Sequence, residues 1–373
     1  MTHTVSTIPL LSPTPGIQRH LKVHRFGQER SGLKIYLQAA LHADEWPGLL
    51  TLQHLIGLLK KVDQSGGING EVVIVPYANP IGMDQRINGV VLGRHSFSAQ
   101  GNFNRDWPDL SNVAIEAAEH SNSENKVPAI KQALKKAVGR LQKTTPLDEL
   151  KAVLLHESID ADIVLDVHCD SEALTHIYCN KRQQTESLEL AQDVACPVLL
   201  MEDMPDGNPF DSAQIKPWLA VEHLGVPMGC HSVTLELRGQ SDVSDQLALP
   251  DAEGILRFMV RRGVISEVQT EIAAIEIQQS NLEAVDSVRS PGAGIIVWHK
   301  QLGDVVRQGE TVASIVDPDA DDPETGRSPV LARTTGILFS RERDVLVGPG
   351  DRIAKIAGND NLENIYGGGL LSL

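Results

Sequence analysis

LKIYLQAALHADEWPGLLTLQHLIGLLKKV, residues 33 to 62, holds two structural signals and a break between them. Residues 33–41 read as an apolar β-strand. From Pro47 the apolar positions recur at helical spacing, and proline suits a first helical turn. His42, Asp44 and Glu45 stand at the turn between the two. Three titratable side chains there are either solvated or the first half of a metal site.

The same alternation continues outward. GEVVIVPYANP (70–80), ADIVLDVH (161–168), CPVLLME (196–202) and SVTLELRG (232–239) read as further strands. ADIVLDVH is nearly all apolar, as expected for a strand covered on both faces. LPDAEGILRFMVRRG (249–263) reads as a closing helix. Strands alternating with helices predict an α/β domain with a parallel or mixed sheet. Residues 109–158 read as charged surface helices around the polar break SNSENKVP.

Beyond about residue 270 the pattern changes to short strands punctuated by glycine. Residues 289–317 and 332–358 repeat one plan, a Gly before a short apolar strand and then a Gly-Asp turn. Two such halves predict a small β-barrel sandwich. This part resembles biotinyl and lipoyl carrier domains, which present a modified lysine between their halves. Here that place holds DPDADDPETGRSPV, without a lysine, so we expect the fold without the carrier function and a structural or lid role. The expected organisation is an α/β domain over 1–270 and an all-β barrel-sandwich domain over 271–373.

Composition narrows the function. Of 373 residues, 41% are hydrophobic and 22% charged, as in ordinary globular proteins, and the length accommodates two domains. The formal charge of −16 argues against nucleic acid or an anionic membrane as partner, since both need clustered positive charge. It leaves room for an anionic small substrate. The four cysteines form no CxxC pair and read as free thiols of a reducing compartment. No apolar run approaches the roughly 20 residues of a membrane helix, and the N-terminus lacks a secretion pattern. A cytoplasmic location is expected.

Four pieces at predicted strand ends, where α/β sheets gather ligand sites, carry the chemistry. His42 and Glu45, three apart on a turn, can converge on one ion. His168 ends the strand ADIVLDV, flanked by Asp166 and Asp170. Two close ligands and one distant one, with two imidazoles and a carboxylate, leave a fourth position for water, as in catalytic zinc sites. A core histidine and a solvated turn are the plain alternatives. The loops NPIGMDQR (79–86) and GNFNRD (101–106) offer Arg86, Arg105 and Asn104, which suit a carboxylate or a developing oxyanion. Glu236 interrupts an apolar strand. It is either a general base beside a metal-bound water or a residue on a wet strand face. Asp166, two residues before His168 and on the same strand face, is the better candidate to orient that imidazole.

HADE, NPIGMDQR, NFNRDWP, DVHCD and TLELRG, in this order, resemble the succinylglutamate desuccinylase/aspartoacylase family of the zinc carboxypeptidase clan. The resemblance covers roughly residues 30–265 and implies a mixed sheet flanked by helices. It implies one Zn2+ per chain held by His42, Glu45 and His168. Glu236 would be the general base and later the proton donor, and Arg86 would stabilise the oxyanion. Asn104 and Arg105 would hold the substrate carboxylate. The implied reaction is hydrolysis of the amide bond of a small N-acyl amino acid by zinc-activated water. Asp44 is not expected to be a ligand. Two features depart from the family pattern. Cys169 replaces a hydroxyl residue, and the helical segment 110–150 is long enough to reshape the mouth of the site. A homodimer is the expected assembly. The rival readings are a metallocarboxypeptidase acting on short peptides and a non-catalytic binding protein.

Overall fold

The computed structural model describes residues 1–29, 31–98, 101–122, 126–203, 207–266 and 273–362. In chain order, strands β1 (Thr4–Pro9), β2 (His20–Phe26) and β3 (Lys34–Ala39) lead into helix α1 (Pro47–Gln64). Strand β4 (Glu71–Val75), the short helix α2 (Pro80–Met83) and strands β5 (Arg86–Ile87) and β6 (Val90–Val91) follow. Helices α3 (Ser111–Glu119), α4 (Lys126–Val138) and α5 (Pro146–Ser158) precede strands β7 (Ile163–Asp170), β8 (Glu172–Ala173) and β9 (His176–Asn180). Then come α6 (Gln184–Asp193), β10 (Val198–Glu202), α7 (Phe210–Val221), β11 (His231–Gly239) and α8 (Asp245–Arg261). The C-terminal strands are β12 (Gln278–Asn281), β13 (Val285–Arg289), β14 (Gly294–Trp298), β15 (Val305–Val306) and β16 (Thr311–Val316). They end with β17 (Arg327–Leu331), β18 (Gly336–Arg341), β19 (Leu346–Val347) and β20 (Arg352–Gly358).

Packing divides the chain into two units. The first comprises Met1–His168, Met204–Leu235 and Val243–Ile272. Its strands run in the order β1-β2-β4-β3-β7-β11. The β1–β2 and β2–β4 pairs are antiparallel, whereas β3 is parallel to both β4 and β7. All six residues of β3 are buried, as a strand flanked on both sides and covered on both faces requires. Helix α1 starts with Pro47 and buries Leu52, Leu55, Ile56, Leu59 and Val62, one stripe at helical spacing, with α8 beside it. Its second residue has to be small. A Cβ on Gly48 would lie 2.9 Å from Ala39 Cβ and 2.8 Å from Val167 Cγ1. The first turn of α1 thus rests directly on the ends of β3 and β7.

Helices α3, α4 and α5 occupy the segment expected to lie on the surface. Only their outer faces do. Ala114, Ala118, Ile130, Leu134, Val138, Leu150 and Leu154 join Phe210 and Trp218 in one apolar cluster. Residues 123–125 of the expected polar break lie outside the described residues.

The second unit comprises Cys169–Asp203, Glu236–Asp242 and Ala273–Leu373. Strands β9, β10 and β12 pair in parallel within it. The C-terminal strands form two small sheets, β17-β16-β14-β19 and β13-β20-β18-β15, with β8 added to β18. Val306, Val312, Ile315, Leu338, Ile353 and Ile356 fill the space between them. This is the expected barrel sandwich. DPDADDPETGRSPV begins at the end of β16 and runs into its antiparallel partner β17. The expected boundary at residue 270 lies outside the described residues. Residues 169–203 and 236–242 pack with the C-terminal strands rather than with the first unit. Arg341, whose strand β18 pairs with β8, is ion-paired to Glu172 at 2.7 Å, and buried Lys355 is ion-paired to Asp170.

Candidate active site and metal centre

Strand β3 ends at Ala39, and Ala40 takes a left-handed backbone (φ 56°) that turns the chain toward His42. Two neighbouring segments fix this turn. Ala78 N donates to Ala39 O at 2.8 Å, and Asn79 Nδ2 donates to Leu41 O at 2.8 Å. Asn79 Oδ1 also accepts from Gly82 N at 2.8 Å, capping α2, so the Asn-Pro pair of the sequence has a structural task. On the other side Ala43 N donates to Gly93 O at 3.0 Å. A Cβ on Gly93 would lie 2.3 Å from Asp44 N, so only glycine lets the 91–95 segment lie on the turn.

The turn brings His42 and Glu45 to His168 on β7. All three are buried, and their candidate ligand atoms lie within 4.8 Å of one another. Glu45 Oε1 is 2.9 Å from His42 Nδ1, and Glu45 Oε2 is 2.7 Å from His168 Nδ1. Among the described residues this is the one His/Cys/Asp/Glu group with such geometry, and Asp44 is not in it.

The other ring nitrogens have their own partners. Asn102 Oδ1 lies 2.9 Å from His42 Nε2 and also accepts from Asn104 N at 2.8 Å. An amide oxygen can only accept, so Nε2 of His42 carries the hydrogen. Nδ1 then turns a lone pair toward the Glu45 carboxylate, an arrangement that a cation shared by the two would satisfy. At His168, Asp166 Oδ2 stands 3.0 Å from Nε2. Of the two flanking aspartates it is Asp166 that lies beside the imidazole, while Asp170 accepts from Ser340 Oγ at 2.8 Å and pairs with Lys355.

The charge states follow. Burial pushes His42 down to about 4, against the opposing pull of Glu45, so it is neutral at pH 7. Burial alone would raise Glu45, but the two imidazoles outweigh it and hold the carboxyl below its ordinary range. Burial would likewise lower His168, yet Asp166 and Glu45 raise it well above its ordinary value. One positive charge thus sits in the cluster, where a proton or a metal ion satisfies the same two carboxylates.

The other expected residues divide. Asn104 is at the cluster, with Nδ2 3.5 Å from His168 Nε2 and Oδ1 accepting from Phe210 N at 2.8 Å. Arg105 adjoins it, donating from Nη1 to Asn104 O at 2.7 Å. Lys151 of α5 reaches back to Arg105 O at 2.7 Å, so the long helical segment braces this loop. Arg86 is different. It lies exposed in the two-stranded β5–β6 ladder. The arginine beside the cluster is Arg94, whose Nη1 is 3.4 Å from both Glu45 Oε1 and His42 Nδ1. Its side chain is 43% exposed, which leaves it open to a substrate. Glu236 belongs to the second unit, one residue beyond Leu235 on β11, and is half-buried.

Arg94 and Asn102 were not singled out in the sequence. Arg94 had a signal, a glycine immediately before it in a loop after a predicted strand. Asn102 stands two residues before Asn104, and only the fold shows that its side chain meets His42.

Residues 31–262 match the family model of the succinylglutamate desuccinylase/aspartoacylase catalytic domain. The chain is 27% identical over 333 residues to N-alpha-acetyl-L-2,4-diaminobutyric acid deacetylase of Halomonas elongata, covering 85% of this chain and 79% of that protein. A succinylglutamate desuccinylase/aspartoacylase structure from Shewanella frigidimarina superposes with a TM-score of 0.84 at 24% identity, covering 96% of this chain and 98% of that one. The product-bound ectoine utilization protein EutE (DoeB) from Ruegeria pomeroyi gives 0.66 at 18% identity, covering 96% and 95%. At these identities the structural likeness speaks for the fold. Among the described residues no helix is long and apolar enough to cross a membrane.

Proposed function

The chain belongs to the succinylglutamate desuccinylase/aspartoacylase family, and from that premise we propose that it is a zinc-dependent hydrolase of the amide bond in small N-acyl amino acids. The observation that carries this reading is the donor set. His42 Nδ1, His168 Nδ1 and the Glu45 carboxylate converge within 4.8 Å, with Asn102 at the other ring nitrogen of His42 and Asp166 beside that of His168. Two imidazoles and one carboxylate fit zinc and leave it an open position. One ion per chain would be held by these three residues. When bound, zinc would supply Lewis acidity, lowering the pKa of a water and polarising the amide carbonyl.

The chain's own residues do the rest. Glu236 accepts the water's proton on its carboxylate and passes it to the leaving nitrogen, so a carboxylate and a free amine are the products. Its setting supports this role, since a half-buried carboxylate near the end of a largely buried strand is costly unless it is chemically employed. Arg94 donates from its guanidinium to the carbonyl oxygen as negative charge develops there, taking the role first assigned to Arg86. Asn104 and Arg105 hold the substrate carboxylate. Phe210 N fixes the Asn104 oxygen and so fixes which way its NH2 group faces.

The Halomonas relative names the first substrate to try, an amino acid acetylated on its α-nitrogen and carrying a second amine. All four cysteines are buried and none is in a disulfide, in keeping with the cytoplasmic location proposed for the protein. The test is primary-amine release from a panel of N-acetyl and N-succinyl amino acids and short peptides, with Glu236→Gln as control. Release from N-acyl amino acids by the wild type alone supports the proposal. Release from peptides alone moves the chain to the carboxypeptidase reading, and full activity in the variant removes Glu236 from the reaction.

A further inference from the structure

Gln38 sits one residue from the end of β3 with no exposed surface, between apolar Leu37 and Ala39. Burying a carboxamide costs free energy unless its oxygen and nitrogen are both bonded. Here both are. Tyr36 OH donates to Gln38 Oε1 at 2.8 Å, and Gln38 Nε2 donates to Asp166 Oδ1 at 2.9 Å. Tyr36, Gln38 and Asp166 are all fully buried, and Gln38 and Asp166 are direct partners across β3 and β7. The phenol fixes the amide the right way round, because its hydrogen can go only to the amide oxygen. The amide NH2 is then aimed at one oxygen of Asp166. The other oxygen stands 3.0 Å from His168 Nε2.

We infer that Gln38 is a positioning residue for the metal centre, holding the Asp166 carboxylate so that His168 keeps its Nδ1 turned to the ion. With one oxygen pinned by Gln38 and Asp166 in the sheet, the carboxylate plane is set, and the plane sets the ring. The device runs Tyr36, Gln38, Asp166, His168, and its first two members lie beyond any contact with the ion or substrate. An apolar residue at position 38 would serve burial equally well and would leave Asp166 free to rotate. This inference rests on the metal reading above.

The test is metal binding, read without turnover. Wild type, Gln38→Met, Tyr36→Phe, Asp166→Asn and the Gln38→Met/Asp166→Asn double variant are stripped of metal. Each is titrated with Zn2+ in competition with a chromogenic chelator, and with Co2+ while the visible absorption of the ion is recorded. Gln38→Met is expected to bind Zn2+ about 10–100-fold more weakly, with a changed Co2+ spectrum. Tyr36→Phe, which loses one hydroxyl and no carbon, should change in the same direction by less, and it replaces Gln38→Met if that variant does not fold. The double variant should bind no more weakly than Asp166→Asn, since Gln38 acts through that carboxylate. Affinity within about twofold of wild type with an unchanged Co2+ spectrum overturns the inference. So does a double variant in which the two losses add in full, because Gln38 would then act on the fold alone. A wild type that binds neither metal overturns the metal reading itself, and this inference with it.

Discussion

Asp166 Oδ2 lies 3.0 Å from His168 Nε2, at the ring nitrogen that does not face Glu45. The imidazole lies between two carboxylates, with an ion-pair contact at each nitrogen. A ligand held at its far nitrogen is a better ligand, both because it is oriented and because it is more basic. Asp166→Ala should therefore lower zinc affinity by about 10–100-fold while the protein stays folded. Chelator competition measures this. Wild-type affinity in the variant would make the contact incidental.

The charge states give a proton count. At pH 7 His42 is neutral and Glu45 ionised, while His168 holds a proton that an ion must displace. Zinc added to metal-free protein at pH 7 should release about one proton per ion, beyond any from the bound water. Because the His168 value is raised, affinity should fall as pH falls below it. Titration in weak buffer with an indicator dye, repeated with Co2+, reads the count. No release, with an affinity indifferent to pH, would show that His168 is not a ligand.

The two arginines separate cleanly. Arg94→Ala should lower kcat about 10²–10³-fold with zinc content intact, the loss typical of an oxyanion donor. Arg86→Ala, in the exposed β5–β6 ladder, should stay close to wild type. Kinetics on any substrate found by the amine-release panel decides it. The opposite pattern would return the role to Arg86.

Much of this was legible beforehand. The strands over 33–41, 161–168 and 232–239 and the helix from Pro47 carry strong apolar periodicity, and the structure has β3, β7, β11 and α1 there. The convergence of His42, Glu45 and His168 was legible because they stand at or just beyond the ends of such strands. The β1–β2 hairpin was missed because β1 is exposed along most of its length and has no apolar face to read. Helix α7 was missed because Pro217 interrupts it and it is buried on most sides, which erases the stripe. Helices α3 to α5 looked like surface elements because their outer faces are charged and their inner residues are small or widely spaced. Arg94 was passed over for a structural reason. The family resemblance pointed to Arg86, but the β5–β6 ladder leaves Arg86 exposed, and Gly93 allows the segment with Arg94 to approach the turn.

That close approach makes Gly93 testable. Gly93→Ala would put a methyl group 2.3 Å from Asp44 N, against backbone that cannot yield cheaply. A loss of about 1–3 kcal/mol is expected, together with weaker zinc binding. A urea midpoint equal to that of wild type would show that the loop has room.

In the second unit, buried Lys355 and Asp170 form an ion pair. Burial would lower Lys355, but Asp170 raises it. Burial would raise Asp170, but Lys355 pulls it well below the carboxylate range. A depressed carboxyl contributes stability above its unfolded value of about 3.9, and a raised lysine below its unfolded value of about 10.4. Lys355→Met should cost about 3–5 kcal/mol at pH 7, and the gap from wild type should narrow as pH falls below 4. Urea midpoints at pH 7 and pH 3 measure it. An equal gap at both would mean that packing, not charge, makes the difference.

The most direct measurement of the central claim is a zinc titration of metal-stripped protein with amine release from an N-acetyl amino acid as the readout. Turnover is predicted to be absent in the stripped protein and to rise in proportion to added zinc. It should level off at about one ion per chain, with His168→Ala silent throughout. Turnover in the stripped protein that zinc leaves unchanged, or equal activity in His168→Ala, would contradict the account.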